Sequence, residues 1–169
     1  FAHIKDDNVQ NFLGLMARAI QSRASNQAVN AMVQGSNATC TKRSILRIRD
    51  KFKELGWGKR DARLIMSVHD EIVISCRTEL AVDVINHTRA IMCSQPEIFK
   101  TLKLDASPSV GRTFEPWDPI KAPKGQIELN EAPLLPGVLD PSTKGKRLND
   151  DQIRSVVDYL TFDKRRIAA

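Results

Sequence analysis

The stretch RLIMSVHDEIVISC, residues 63–76, decides the fold of this chain. Two β-rich apolar runs lie on either side of His69, Asp70 and Glu71. Two such runs separated by a few polar residues are typical of a β-hairpin, so the sequence predicts a hairpin with a charged tip. Because successive side chains of a strand point to opposite faces, the two carboxylates can be presented together only at the turn.

The adjacent carboxylates of Asp70 and Glu71 allow two interpretations. One is a solvated turn, in which acidic residues are common. The other is a divalent-metal site, because crowded negative charge costs free energy unless a cation or basic groups offset it. The apolar flanking runs favour the metal site, since they would hold the turn rigidly on a buried sheet. Carboxylate oxygens are the ligands that Mg²⁺ prefers.

The neighbouring histidine also has competing interpretations. Zinc ligation is disfavoured, because His3 and His87 are distant from His69 in the sequence and neither forms an HxxxH pair. We therefore interpret His69 as a hydrogen-bond donor beside the metal site. The other two histidines are assigned no role.

Helical spacing of apolar residues precedes the hairpin. It predicts a short helix near 9–20 and a long helix over about 25–55, perturbed at Gly35. The sequence Gly56-Trp57-Gly58 provides a C-terminal glycine signal that ends the long helix.

After the hairpin the chain changes from helical to proline-rich. We predict a helix over 79–93 and then a strand over 102–110, which Pro108 would push to an edge of the sheet. All eight prolines lie in the second half of the chain, and six of them fall between residues 116 and 141. The stretch 115–146 is therefore interpreted as an extended linker or as an arm that lies on the surface of the domain.

The last predicted helix has signals at both ends. Asn149 fits an N-cap, with Gln152 three residues later, and basic residues lie at the negative end of the helix dipole. These basic residues are Lys164, Arg165 and Arg166. An apolar stripe at i, i+3, i+4 and i+7 is formed by Ile153, Val156, Val157 and Leu160. Such a stripe must pack either on this domain or on a partner.

Length and composition indicate one globular domain, alone or with an appendage. Hydrophobic residues make up 41% of the 169 residues, which is enough for a packed core and excludes wholesale disorder. No apolar run approaches the roughly 18–20 residues of a membrane span, and no signal-peptide pattern follows Phe1. A chain that begins without Met is expected to be part of a longer one. Three cysteines without a CxxC pair disfavour a zinc site or a disulfide scaffold and favour a reducing, intracellular setting.

Basic charge is concentrated in the first third of the chain. Residues 1–60 contain 11 Lys and Arg against 4 Asp and Glu, a net charge of +7, whereas residues 61–169 have a net charge of −1. A solvated basic face and a phosphate-binding face both fit this distribution, and charge alone leaves both open.

Three segments together resemble a known family. The sequence VHDE at 68–71, between two apolar strands, resembles motif C of family A (DNA polymerase I-like) DNA polymerases. Upstream, NAMVQGS at 30–36 resembles the N-x-x-x-Q-G-[ST] helix of the family, and Lys42-Arg43 falls where that helix carries a basic pair. Downstream, Val110-Gly111 and Trp117-Asp118 resemble the family's closing segment. Order and spacing agree over residues 20–118.

The resemblance implies a catalytic role for the hairpin tip. Asp70 takes the place of the aspartate that binds the catalytic metals, and Glu71 that of a neighbouring glutamate with a less direct contribution. The implied cofactor is Mg²⁺ in a two-metal site that activates the primer 3′-hydroxyl and stabilises the transition state and the pyrophosphate leaving group. This site would be completed by an aspartate outside this chain. His69 matches the histidine that contacts the primer terminus.

The resemblance also implies a DNA-binding surface on the long helix. Asn30 and Gln34 match side chains that reach base and sugar atoms in the minor groove near the primer end. The basic pair Lys42-Arg43 is expected to contribute. The family often has Arg where Asn26 stands here, and Arg23 lies close by, so Arg23 is the cation that we assign to this surface.

The implied fold is α+β, a long helix followed by an antiparallel β-hairpin and a packing helix. Residues 1–118 would be the C-terminal part of a polymerase palm, 119–147 a Pro/Gly-rich arm or linker, and 148–169 an amphipathic C-terminal helix.

The implied function is template-directed DNA synthesis in DNA replication, within a longer or split polymerase. Residues 1–22 resemble neither the earlier strand with the second aspartate (motif A) nor the fingers helix. The chain alone is therefore expected to be inactive.

Partners and location follow from the same resemblance. The expected partners are primer–template DNA, deoxynucleoside triphosphates and the missing N-terminal part of the polymerase, and no membrane. Residues 149–164 would either pack on the polymerase body or dock another replication protein. The expected location is intracellular and cytoplasmic, in the host cytoplasm if a phage encodes the chain, and the divergent tail favours a phage.

Two other functions remain open from the sequence. The basic first third and its helix also fit a non-catalytic DNA-binding or replication-protein interaction module. A metal-dependent hydrolase is the weaker alternative, because it would need more carboxylates or histidines near the hairpin tip than the sequence shows.

Overall fold

The computed structural model describes residues 7–96, 101–130, 135, 137–143 and 146–161. Its helices and strands, in chain order, are α1 (Asp7–Glu54), β1 (Ala62–Val68), β2 (Glu71–Cys76), α2 (Ala81–Cys93), β3 (Ser109–Val110), β4 (Ile127–Glu128) and α3 (Asp150–Thr161). The fold is α+β, with the long helix, hairpin and packing helix in the predicted order. The described residues divide into two units, one up to Thr39 and one from Cys40 onward.

Helix α1 is one continuous helix, which corrects the prediction of two helices at 9–20 and 25–55. Residues 21–24 between them contain neither Gly nor Pro, so nothing interrupts the backbone hydrogen bonds there. Gly35 does not perturb the helix either, and its carbonyl accepts a hydrogen bond of 2.9 Å from Thr39 Oγ1.

The C-terminus of α1 has the predicted glycine stop. Gly56 has a φ of 72°, in the left-handed region that glycine adopts without steric cost. Its amide donates to the Lys53 carbonyl at 3.0 Å, and the Trp57 amide donates to the Phe52 carbonyl at 2.9 Å. The Phe52 and Trp57 rings pack with centroids 5.3 Å apart. These are the two hydrogen bonds and the hydrophobic contact of a Schellman motif.

Strands β1 and β2 form the predicted antiparallel hairpin, whose base packs on a core in the second unit. Val68 pairs with Glu71, and the register shifts between Leu64 and Met66. Buried residues of α1, β1 and α2 form the core below the base: Ile48, Phe52, Ala62 and Val84. The sequence predicts that the whole hairpin is buried. Near the tip it is exposed instead, because this core extends only under the base. The exposed fractions there are 46% for Ile65, 48% for Met66 and 43% for Val68.

The segment after α2 corrects a second prediction. Helix α2 follows the hairpin as expected, but the predicted strand over 102–110 is reduced to β3, which pairs with β4. Pro108 has no amide hydrogen to donate to a ladder. Its carbonyl accepts a hydrogen bond of 2.9 Å from the Leu129 amide, so pairing begins only at this point.

The C-terminal tail packs on α2, within the second unit. A second core contains residues of α2 (Ala81 and Val82), the tail (Ile127, Leu129, Leu135, Leu139 and Leu148) and α3 (Ile153, Val156, Val157 and Leu160). The segment 115–146 therefore contributes buried residues to this core. The apolar stripe of α3 likewise packs on this chain and does not face an outside partner.

The N-terminus of α3 confirms the predicted cap. The backbone amide of Gln152 donates to Asn149 Oδ1 at 2.9 Å. The backbone amide of Asn149 donates to Gln152 Oε1, also at 2.9 Å. This reciprocal pair is a capping box. The predicted basic residues Lys164, Arg165 and Arg166 lie outside the described residues, as does His3.

Among the helices of the described ranges, none combines the length and the apolar content that crossing a membrane requires.

Candidate functional site

The tip of the hairpin is a turn of two residues, His69 and Asp70. Of the non-glycine residues that the structure describes, His69 is the one with a positive φ, 54°. Histidine enters this left-handed region more readily than most residues, although it remains uncommon there. The pairing of Val68 with Glu71 on either side of the turn holds this conformation in place.

Asp70 and Glu71 present their carboxylates to solvent at this turn. Within the described part of the chain, neither carboxylate takes part in a hydrogen bond or an ion pair. Their oxygens are therefore available to a cation. The pair fits Mg²⁺, which is typically held by one or two carboxylates together with water and substrate phosphates.

The hairpin tip lacks the third protein ligand that a closed metal site would need. In the residues described, no group of three or more His, Cys, Asp or Glu has the geometry to hold a metal ion. His87 packs edge-on against Trp57, with ring centroids 6.0 Å apart, and so belongs to the core below the hairpin. Asp70 and Glu71 are therefore the residues of the described hairpin tip that could hold a metal together with ligands from elsewhere.

The predicted DNA-binding residues on α1 are all exposed, and they lie in two groups. Arg23, Asn30 and Gln34 belong to the first unit. Asn30 and Gln34 are four residues apart, so they are neighbours on one face of the helix. Lys42 and Arg43 belong to the second unit, and as successive residues they diverge by about 100° around the helix axis.

Polar contacts that the sequence did not predict hold α1 against the end of α2. Gln95 Nε2 donates to Ser44 Oγ at 2.8 Å and to the Ile91 carbonyl at 3.2 Å. The Arg47 guanidinium donates to the Ser94 carbonyl. The sequence does indicate a contact for Ser44. This polar residue lies four positions before Ile48 in a buried stripe, so it needs a hydrogen-bond partner. These contacts anchor the segment that carries Lys42 and Arg43.

Similarity to known proteins shows the family of the chain. The family model of DNA polymerase family A matches residues 9–116, more than half of the chain. The chain belongs to DNA polymerase family A. The matched range contains the hairpin tip as well as Asn30 and Gln34, and everything from Trp117 onward lies outside it.

One curated relative shows the scale of the match. DNA polymerase I of Pseudomonas aeruginosa is 32% identical over 88 residues, which are 52% of this chain and 9% of that protein. The matched part of the chain therefore spans about a tenth of the length of that protein. No solved structure matches the chain.

Proposed function

We propose that this chain supplies the motif C carboxylates and part of the primer–template surface of a DNA polymerase that adds nucleotides to a primer 3′-hydroxyl. The observation that carries the proposal is the exposed, unpaired pair of carboxylates at a two-residue turn, in a chain that belongs to a family of DNA polymerases. Family membership favours the metal-binding interpretation of this pair over that of a solvated turn.

The carboxylates of Asp70 and Glu71 would hold Mg²⁺, with Asp70 as the main ligand. Bound Mg²⁺ supplies stabilisation of negative charge at a reacting phosphate and lowers the pKa of a hydroxyl that coordinates it. The residues of this chain position the groups. The hairpin holds the carboxylates at fixed places, and His69 is the hydrogen-bond donor that orients the primer terminus.

The missing part of the metal site would come from a further strand of a longer polymerase. Within the described residues the sheet has two strands, so one edge of each is unpaired. Such a strand would carry the aspartate that completes the site. Ile65, Met66 and Val68 are exposed beside the tip, so the faces of the hairpin there could pack on the same part of the polymerase. This arrangement also explains why the 169-residue chain alone should not incorporate nucleotides.

The long helix would bind the primer–template duplex. Asn30 and Gln34 have amide groups that suit the acceptors of the minor groove, which are nearly the same for all base pairs. The cations Arg23, Lys42 and Arg43 would bind phosphates, which fix position rather than sequence. Deoxynucleoside triphosphates, primer–template DNA and the rest of the polymerase are the proposed partners, in an intracellular, cytoplasmic location.

The decisive experiment is primer extension by the complete polymerase with Asp70→Asn. We expect nucleotide incorporation to fall at least about 100-fold, because the change removes a metal-binding charge without changing the side-chain shape. Primer–template affinity should change less than about threefold, because the carboxylate is not a DNA-binding group. The matched control is Asp83→Asn, an exposed aspartate of α2 that should leave incorporation unchanged.

Two results would contradict the proposal. Incorporation by Asp70→Asn that stays close to the wild-type rate would show that the hairpin carboxylate is not a metal ligand. Incorporation by the purified 169-residue chain alone would show that the site needs no second aspartate from elsewhere.

A further inference from the structure

One face of α1 carries a longer polar stripe than the three residues already assigned to DNA binding there. Steps of four, three, four and three residues connect its members, which are Arg23, Gln27, Asn30, Gln34 and Asn37. Residues at these spacings lie above one another on one face of a helix. All five side chains are exposed, and all five belong to the first unit.

The chemistry of this polar stripe suits the edge of a nucleic acid duplex. Four of its members are amides, and each amide offers both a donor and an acceptor. The minor groove of DNA presents acceptors at the same places in every base pair, so a row of amide donors can bind it without reading the sequence. From Arg23 to Asn37 the helix rises about 21 Å, the length of about six base steps at 3.4 Å each.

The charge around the stripe favours a polyanion over a protein as its partner. Within the first unit, residues 8–39 contain no Asp or Glu, and they contain two basic residues, Arg18 and Arg23. A carboxylate near a phosphate backbone would be repelled, whereas Lys and Arg neutralise phosphates and release their counterions. An uninterrupted acid-free segment of this length fits a surface that lies along DNA.

We propose that Gln27 is a further DNA-contacting residue, which hydrogen-bonds to the minor-groove edge of the primer–template duplex one helical turn before Asn30. The inference rests on the proposed function, because it requires that Asn30 and Gln34 bind the same groove. It adds a residue that neither the motif nor the charge pattern assigns. Gln27 continues their row at the spacing that a straight helix imposes.

The test measures the affinity of the full 169-residue chain for a fluorescently labelled primer–template duplex by anisotropy. Gln27→Ala should weaken binding by about threefold to tenfold, the effect of losing one hydrogen bond to a base edge. The matched control is Gln21→Ala, the same exchange at an exposed site of the same helix. Gln21 lies about two and a half turns before Asn30 and hence on the opposite face, so its replacement should change affinity by less than about 1.5-fold.

Salt dependence separates a hydrogen bond from a charge contact. Gln27→Ala should leave the slope of log affinity against log salt concentration unchanged, because the side chain is neutral. Arg23→Ala should make that slope shallower by about 0.9, the value for one lost phosphate contact. A changed slope for Gln27→Ala would overturn the assignment of a direct base-edge contact.

The groove itself is tested with duplexes in which 3-deazaadenine replaces adenine and removes the minor-groove N3 acceptor. At one position this replacement should weaken binding of the wild-type chain and have no further effect on Gln27→Ala. Equal losses for Gln27→Ala and Gln21→Ala would overturn the inference. If Asn30→Ala and Gln34→Ala weaken binding while Gln27→Ala does not, the inference fails and the proposed function stands. A chain that does not bind the duplex at all would overturn both.

Discussion

Two glycines permit the close packing between the family-matched part of the chain and its tail. A Cβ at Gly125 would lie 2.6 Å from the Glu115 carbonyl oxygen, and a Cβ at Gly111 would lie 2.7 Å from Gln126 Cα. Both neighbours are backbone atoms, and the residues to which they belong are hydrogen-bonded to each other. The Gln126 amide donates to the Glu115 carbonyl at 2.7 Å. The backbone therefore has little freedom to move away.

We expect Gly125→Ala to lower the free energy of unfolding by about 1–3 kcal/mol, because the added methyl group overpacks the joint. Gly58→Ala is the control, since a Cβ there meets its nearest atom, Asp61 Oδ2, at an ordinary 3.5 Å. Urea unfolding followed by tryptophan fluorescence measures both variants. Equal stabilities would show that the joint is looser than these contacts indicate.

Asp118 makes the stability of the packing between residues 111–118 and 122–126 dependent on pH. Its Oδ1 accepts hydrogen bonds from the Lys121 amide at 2.7 Å and the Ile120 amide at 2.8 Å. These two bonds hold the pKa of the carboxyl below its ordinary value of 3.8. A carboxyl with a lowered pKa in the folded state stabilises the fold above its unfolded pKa, and this stability is lost as the pH falls through the folded pKa.

We therefore expect the free energy of unfolding to decrease as the pH is lowered from about 5 to about 3. In Asp118→Asn part of this dependence should disappear, because the amide oxygen can still accept hydrogen bonds but carries no charge. Asp105 and Asp140, whose pKa values are also lowered, would retain the remainder. Denaturant midpoints across this pH range measure the difference, and an identical slope in both proteins would refute the role of Asp118.

The turn residues show what a local pattern can predict. Two apolar runs around a short polar interruption placed the turn at His69, Asp70 and Glu71, because such a pattern is visible in the sequence itself, although Glu71 is already the first residue of β2. The positive φ of His69 was not predictable, since most histidines do not adopt it. It is held by the strand pairs on either side, and such support is visible only in the fold.

Among the elements, helix ends were predicted where a side chain or a glycine marks them. Gly56 and Asn149 both lie where the sequence placed them, because caps depend on a few neighbouring residues. The false break at 21–24 came from a gap in the apolar stripe, and a gap in burial is not a break in hydrogen bonding. The packing of the tail was left open, since it depends on contacts between residues far apart in the sequence.

The capping box gives a prediction for α3. We expect Asn149→Ala to lower the free energy of unfolding by about 1 kcal/mol, because it leaves the Gln152 amide without its partner. Asn149→Ser is the matched variant and should retain most of the stability, since serine is an equally good N-cap. Thermal unfolding followed by circular dichroism measures both. A loss of the same size in both variants would mean that the cap does not depend on the side-chain oxygen.

On the scale of the whole second unit, two cores share α2. One core lies between α1, the hairpin base and α2, and the other between α2, the tail and α3. Cys76, at the end of β2, packs against both. The tail beyond residue 116 is therefore structurally connected to the hairpin that presents Asp70, although it lies outside the family match.

This connection predicts that a substitution in α3 loosens the packing at the base of the hairpin. Leu160 is only 2% exposed, so Leu160→Ala should lower the free energy of unfolding by about 2–4 kcal/mol. Burial raises the pKa of the Cys76 thiol, which keeps the reactive thiolate scarce. Loosening the second core should lower that pKa toward its ordinary value, so iodoacetamide should alkylate Cys76 several-fold faster.

Peptide mass spectrometry after timed alkylation measures Cys76 and Cys40 in the same sample. Cys40 is buried on α1 and belongs to neither core, so its rate is a reference for opening away from the hairpin base, and a rise in the ratio of Cys76 to Cys40 reports local loosening at that base. Tyr159→Ala is the control, because this neighbouring side chain is 38% exposed and is not part of the second core. If Leu160→Ala lowers stability but leaves the ratio unchanged, the tail stabilises the unit without supporting the hairpin. A raised ratio means that the tail, through the second core, holds the strand that leads to the carboxylates.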